Sequence, residues 1–139
     1  ESQLMTKIDD LIAKAYGSEG KPEDASRVYE AVLKATLFVP CKKMTPEEKD
    51  AAQQAGEPFE PLFTEHKNQF FLLSFDTEAR LNDWAGEMRS EIEHFEILGS
   101  NLITALGDQA HLCLNFGTKN YKEFPPDEIA QLKIILKKS

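Results

Sequence analysis

The apolar positions of this chain change period several times, and the changes outline its elements. Ile8, Leu11, Ile12 and Ala15, with Leu4 ahead of them, recur at helical spacing and predict an amphipathic helix that Gly17 and Gly20 end. Pro22 suits the first turn of a second helix, where its missing N–H costs nothing, and Glu23 and Asp24 beside it favour the positive end of the helix dipole. Ala25, Val28, Tyr29, Val32 and Leu33 form the inner face of that helix. Thr36-Leu37-Phe38-Val39 then reads as a strand that Pro40 is expected to stop.

Residues 41–58 are mostly polar. Thr45-Pro46-Glu47-Glu48 has the order of a capping box, and Gly56 would end the short helix it starts. The inner face of that helix offers only Ala51, Ala52 and Ala55, so it is expected to be exposed and mobile. Leu62-Phe63-Thr64 and residues 70–75 flank a polar turn at residues 66–69 and predict a hairpin. The run Phe70-Phe71-Leu72-Leu73-Ser74-Phe75 does not alternate, which suits a strand buried on both faces near the centre of a sheet.

Asp76 or Thr77 would cap the next helix, whose inner stripe is Leu81, Trp84, Ala85 and Met88. Residues 95–98 predict another strand, and Gly99-Ser100 leads into a short helix through Leu102, Ile103 and Leu106 that Gly107 closes. Over residues 110–116, Ala110, Leu112, Leu114 and Phe116 alternate with His111, Cys113 and Asn115, the pattern of a strand with one polar-leaning face. A last helix begins at Pro125-Pro126, buries Ile129, Leu132, Ile135 and Leu136, and ends in Lys137 and Lys138 at the negative end of its dipole. Together these elements predict a single α+β domain over residues 1–139, with a mixed, mostly antiparallel sheet of about five strands covered by helices.

Charge narrows the classes of function. The net charge of −8 argues against nucleic acid, whose phosphates need clustered Lys and Arg, and against anionic lipid. No run approaches 18 apolar residues, so no membrane span is expected. Two cysteines, Cys41 and Cys113, are too few for a disulfide scaffold and sit among strand-type apolar residues. They read as buried thiols in a cytoplasmic protein. Residues 76–96 hold seven acids against Arg80 and Arg89, five of the eight net negative charges. The plain reading of these acids is a solvated helix face; the functional one is a patch for a basic partner.

In order along the chain, Val28-Tyr29 leads to Leu37-Phe38-Val39-Pro40, Pro61-Leu62-Phe63 to residues 70–75, and Phe75-Asp76-Thr77-Glu78 to Leu81 and Trp84. Leu112-Cys113-Leu114-Asn115 is followed by Gly117 and a late Glu128-Ile129 helix. This succession resembles the N-terminal domain family of SseB-type proteins, which is named for enhanced serine sensitivity and shares a name with type III secretion components. The family tends to place a proline after the asparagine where this chain has Phe116. The resemblance implies a soluble bacterial protein of poorly defined role and brings no catalytic residues with it.

The residues show no catalytic apparatus of their own. His66, His94 and His111 are far apart in sequence, and none pairs with a cysteine at metal-finger spacing. Cys113 has His111 and Asn115 on its strand face, but side chains at i and i+2 point in parallel rather than toward one another. Gly99-Ser100-Asn101 is the sole phosphate-type turn, and a plain N-cap explains it. No metal, cofactor or enzymatic activity is therefore expected. The leading expectation is a module that binds another protein through Asp83, Glu87, Glu91 and Glu93. The alternative is a small-ligand pocket where the strand ends meet, at Asp76, Thr77, Asn115 and Thr118.

Overall fold

The computed structural model describes residues 6–56, 61–118 and 121–138, apart from the side chain of His66. Two helices come first, α1 (Lys7–Gly17) and α2 (Pro22–Lys34). After β1 (Thr36–Lys42) comes α3 (Pro46–Gln54), then the hairpin β2 (Phe63–His66) and β3 (Gln69–Ser74). Next are α4 (Glu78–Ala85), a 3-10 turn (Gly86–Glu91), β4 (Ile92–Leu98) and α5 (Gly99–Ala105). The described chain closes with β5 (His111–Leu114), β6 (Lys122–Phe124) and α6 (Pro126–Lys137). Leu4, Glu57 and Pro58, which the sequence pattern uses, lie outside the described residues.

The fold is α+β. One ladder pairs β1 with β4 antiparallel over seven residues; the other has the order β2-β3-β5-β6, with β3 and β5 parallel and the other neighbours antiparallel. The ladders meet at Phe38 and Phe75, which exchange both backbone hydrogen bonds at 2.7 and 2.9 Å. β6, three residues long, has no periodicity to read and raises the expected five strands to six among the described residues.

Both faces of the sheet are covered. Leu37, Val39, Leu72, Leu112, Leu114 and Phe124 pack under α1, α2, α5 and α6. Leu73, Phe75 and Cys113 turn the other way, onto Leu81 and Trp84 of α4. Neighbours such as Leu72 and Leu73 thus serve opposite cores, which is why the run does not alternate. Burial starts only part-way along that run, however: Phe70 is 56% exposed because β2 and β3 project beyond the helices at the hairpin end. The turn itself has Lys67 and Asn68 at φ of 52° and 65°, the paired left-handed residues a two-residue hairpin uses.

Four local expectations are corrected. Pro40 does not stop β1, because the strand runs on to Lys42. Phe38 and Pro40 share the edge that faces away from β4, so the missing N–H breaks no bond of the β1–β4 ladder, and the Pro40 carbonyl accepts from Leu62 N–H at 3.0 Å. Met88 is not part of an inner stripe: α4 stops at Ala85, Gly86 turns at φ 53°, and Met88 is exposed on the 3-10 turn. The alternation over residues 110–116 is not kept either. His111 to Leu114 are all buried, Asn115 reverses the chain at φ 60°, and Phe116 turns out to solvent. Gly99, finally, is the first residue of α5 rather than part of a capping turn, and no side chain caps that helix.

Candidate functional site

Where α1, α4 and the ends of β3 and β5 converge, a buried polar node replaces the apolar core. Thr6 caps α1 in a capping box: its hydroxyl accepts from Asp9 N–H at 3.2 Å and its own N–H donates to Asp9 Oδ2 at 3.0 Å. The same Asp9 carboxylate takes the Arg80 guanidinium, with Nη1 at 2.9 Å from Oδ1 and Nη2 bonded to Oδ2. Arg80 Nη1 also donates to Asp76 Oδ1 at 3.0 Å, and Thr6 Oγ1 donates to Asp76 Oδ2 at 2.6 Å. The three charged side chains are each less than 5% exposed. Burial alone would push the Asp9 carboxyl up; the Arg80 and Thr6 hydrogen bonds and the Arg80 charge outweigh it and hold Asp9 below its ordinary value.

All four residues expected at a ligand pocket lie at or beside this node. Asp76 N–H donates to Asn115 Oδ1 at 3.0 Å. Thr77 caps α4 by accepting from Arg80 N–H at 3.2 Å. Thr118 donates its hydroxyl to the Asn115 carbonyl at 2.8 Å, and its N–H closes the same turn. These two bonds close a tight turn at Asn115 although Phe116 follows it, where the family tends to place a proline. The polar groups of Asp76, Thr77 and Thr118 therefore hold the fold at this point. Asn115 Nδ2 is buried without a hydrogen-bond partner among the described residues. Asp76 also borders an open groove of about 720 Å³ between α1, α2 and β1, whose lining includes Ile8, Leu11 and Phe38; Asn115 is not among the groove residues.

The four expected contact acids are split over three elements. Asp83 is exposed on α4, and Glu87 and Glu91 are exposed on the 3-10 turn on either side of Met88, itself 48% exposed. Glu93 sits on β4, half-buried, and pairs with Lys49 of α3 at 3.4 Å. Arg89 lies between the acids and the sheet. It bonds Asn82, the Ile92 carbonyl and His94 Nδ1, which fixes the 3-10 turn against β4.

The remaining chemistry-bearing residues are structural in their contacts. His111 packs against Phe71 in a tilted arrangement with ring centroids 4.6 Å apart and has a Glu123 carboxylate oxygen 3.7 Å from Nδ1. Burial, with Glu123 beside it, pushes the Cys113 thiol up to about 11, and burial raises Cys41 as well. Both thiols are free. Among the described residues no three His, Cys, Asp or Glu converge to hold a metal ion, and no helix is long and apolar enough to cross a membrane.

This fold, with a buried ionic node at its strand ends, falls in a defined class. A family model for the SseB protein N-terminal domain matches residues 8–131, most of the 139-residue chain. The chain belongs to that family. Comparison with curated proteins gave no match, and comparison with solved structures gave none.

Proposed function

We propose that the domain is a non-enzymatic module that binds another protein, and that the surface of α4 and the 3-10 turn meets a basic partner. The observation that carries this reading is Met88. It is a large apolar side chain left outside the core and flanked by the exposed Glu87 and Glu91. An apolar centre with a charged rim is the usual layout of a contact surface. The reading places the domain in the reducing cytoplasm, and the two buried free thiols support that. The ligand alternative has less support, because the carboxylate of Asp76 and the hydroxyls of Thr77 and Thr118 are turned onto neighbouring groups of the chain itself.

Affinity capture from a bacterial lysate, read by mass spectrometry, tests the proposal. The wild-type chain is run beside a Glu87→Lys, Glu91→Lys, Met88→Ser variant. A protein that the wild type retains and the variant loses supports the reading. Identical captured sets overturn it.

A further inference from the structure

We infer that β4 is a self-complementary edge through which two copies of this chain pair, antiparallel, in a register centred on Phe95. β4 is seven residues long, and among the described residues β1 is its sole strand partner. Backbone groups of alternate residues point to opposite edges of a strand. Phe38 uses its N–H and C=O on Phe75, so Leu37, Val39 and Cys41 are the β1 residues that face β4. Their partners Ile97, Phe95 and Glu93 face back. His94 and Glu96 consequently aim both backbone groups outward, and no described backbone group takes them.

The side chains select the register. A two-fold axis at Phe95 sets His94 against Glu96 of the second copy, twice, and each of the two pairs exchanges both N–H···O bonds. Ile92 then lies across from Leu98 of the second copy, an apolar pair at each end; Leu98 is 42% exposed in the single chain. Sliding by one hydrogen-bonded step opposes Glu96 to Glu96, or His94 to His94 and Glu96 to Ile92. Like charges directly across a ladder disfavour the first of these, and the second takes the Glu96 carboxylate away from the His94 donor.

The His94 ring is already set for the centred register. Arg89 Nη2 lies 3.0 Å from His94 Nδ1, and a guanidinium can only donate. Nδ1 is thus the acceptor and the ring proton sits on Nε2, a donor with no partner among the described residues. Glu96 is exposed and has no ion pair among them. A donor and a carboxylate two residues apart on an open edge complement a second copy of the same edge.

Sedimentation equilibrium at physiological ionic strength, from low to high micromolar chain, tests the inference. The wild type is expected to show a reversible monomer–dimer equilibrium. Glu96→Pro removes an outward N–H without touching the β1 ladder, and two bonds per dimer are lost, so the dissociation constant rises by at least about tenfold. Glu96→Lys, which needs no change of backbone, sets an ammonium against the His94 donor and also weakens the dimer. Adding His94→Glu to Glu96→Lys again sets a donor against a carboxylate in the same register, with the roles exchanged, and brings the constant back to within about threefold of the wild type. A wild type that stays monomeric throughout overturns the inference, as does a dimer indifferent to Glu96→Lys. Failure of the double exchange to recover affinity also overturns it.

Discussion

At the scale of single residues, the most consequential side chain is Arg80. It is 3% exposed and bridges two carboxylates that are buried as deeply. Removing it leaves Asp9 and Asp76 as uncompensated buried charges, so Arg80→Met is expected to cost about 3–5 kcal/mol in denaturant unfolding. Arg80→Lys recovers only part of this, because an ammonium keeps the charge but loses the fork that spans Asp9. The node also sets a pH dependence. Asp9 is held below its ordinary value when folded, so the unfolded chain binds its proton more readily. Its contribution is fully present above the unfolded value of about 3.9 and is lost as pH falls through the folded one. Asp9→Asn is therefore expected to be less stable at neutral pH and to lose less on acidification, a difference that thermal unfolding at stepped pH would show.

The thiols give a second residue-scale test. Cys113, raised to about 11, and Cys41, raised by burial and Glu93 with Lys49 opposing, hold little thiolate near neutrality, and thiolate is the reactive form. Native protein is expected to resist alkylation at pH 8 at both positions and to take two labels once unfolded. Rapid labelling of folded protein, or an intramolecular disulfide under non-reducing mass spectrometry, would contradict the burial of these groups.

At the scale of elements, what the sequence reveals follows from whether the cause is local. The capping box of Thr45 and Glu48, the proline start of α2 and the hairpin turn are set by neighbours in sequence, and each forms where its pattern predicts. The end of α4 is harder to see, because Met88 continues the helical stripe and only Gly86 marks the break. The ionic node is less legible still. Asp9, Asp76 and Arg80 come from two helices and a strand end, and Asp9 reads in sequence merely as a first-turn acid. Gly99 is a similar case: a Cβ there would stand 1.8 Å from the Val32 carbonyl oxygen, so the glycine is what lets α5 approach α2. Gly99→Ala is expected to cost at least about 3 kcal/mol, since the obstructing atom is backbone and cannot rotate away. Trp84 packs on Phe75 at 5.7 Å between ring centroids but is only half-buried. Trp84→Ala should then cost about 2 kcal/mol, below the range of about 3–5 for a fully buried aromatic.

At the scale of the whole molecule, the negative charge is what a partner meets first. Glu93 is already paired with Lys49 at 3.4 Å, so Glu87 and Glu91 are the acids chosen for reversal. Changing both to lysine takes the formal charge from −8 to −4, because each substitution adds two units. Both side chains are exposed, and isolated surface charges contribute little to folding, so the thermal midpoint should move by no more than a degree or two. Association is different, because exposed charges steer encounter over a Debye length of about 8 Å at physiological ionic strength. With a partner obtained by capture, the reversed chain should associate about tenfold more slowly at low salt and show a flatter salt dependence. Dissociation should change far less, since rim charges act mainly before contact. Stopped-flow association across a salt series separates the two rates. Equal association rates for both chains at every salt concentration would remove the acidic face from the contact surface and return attention to the groove beside Asp76.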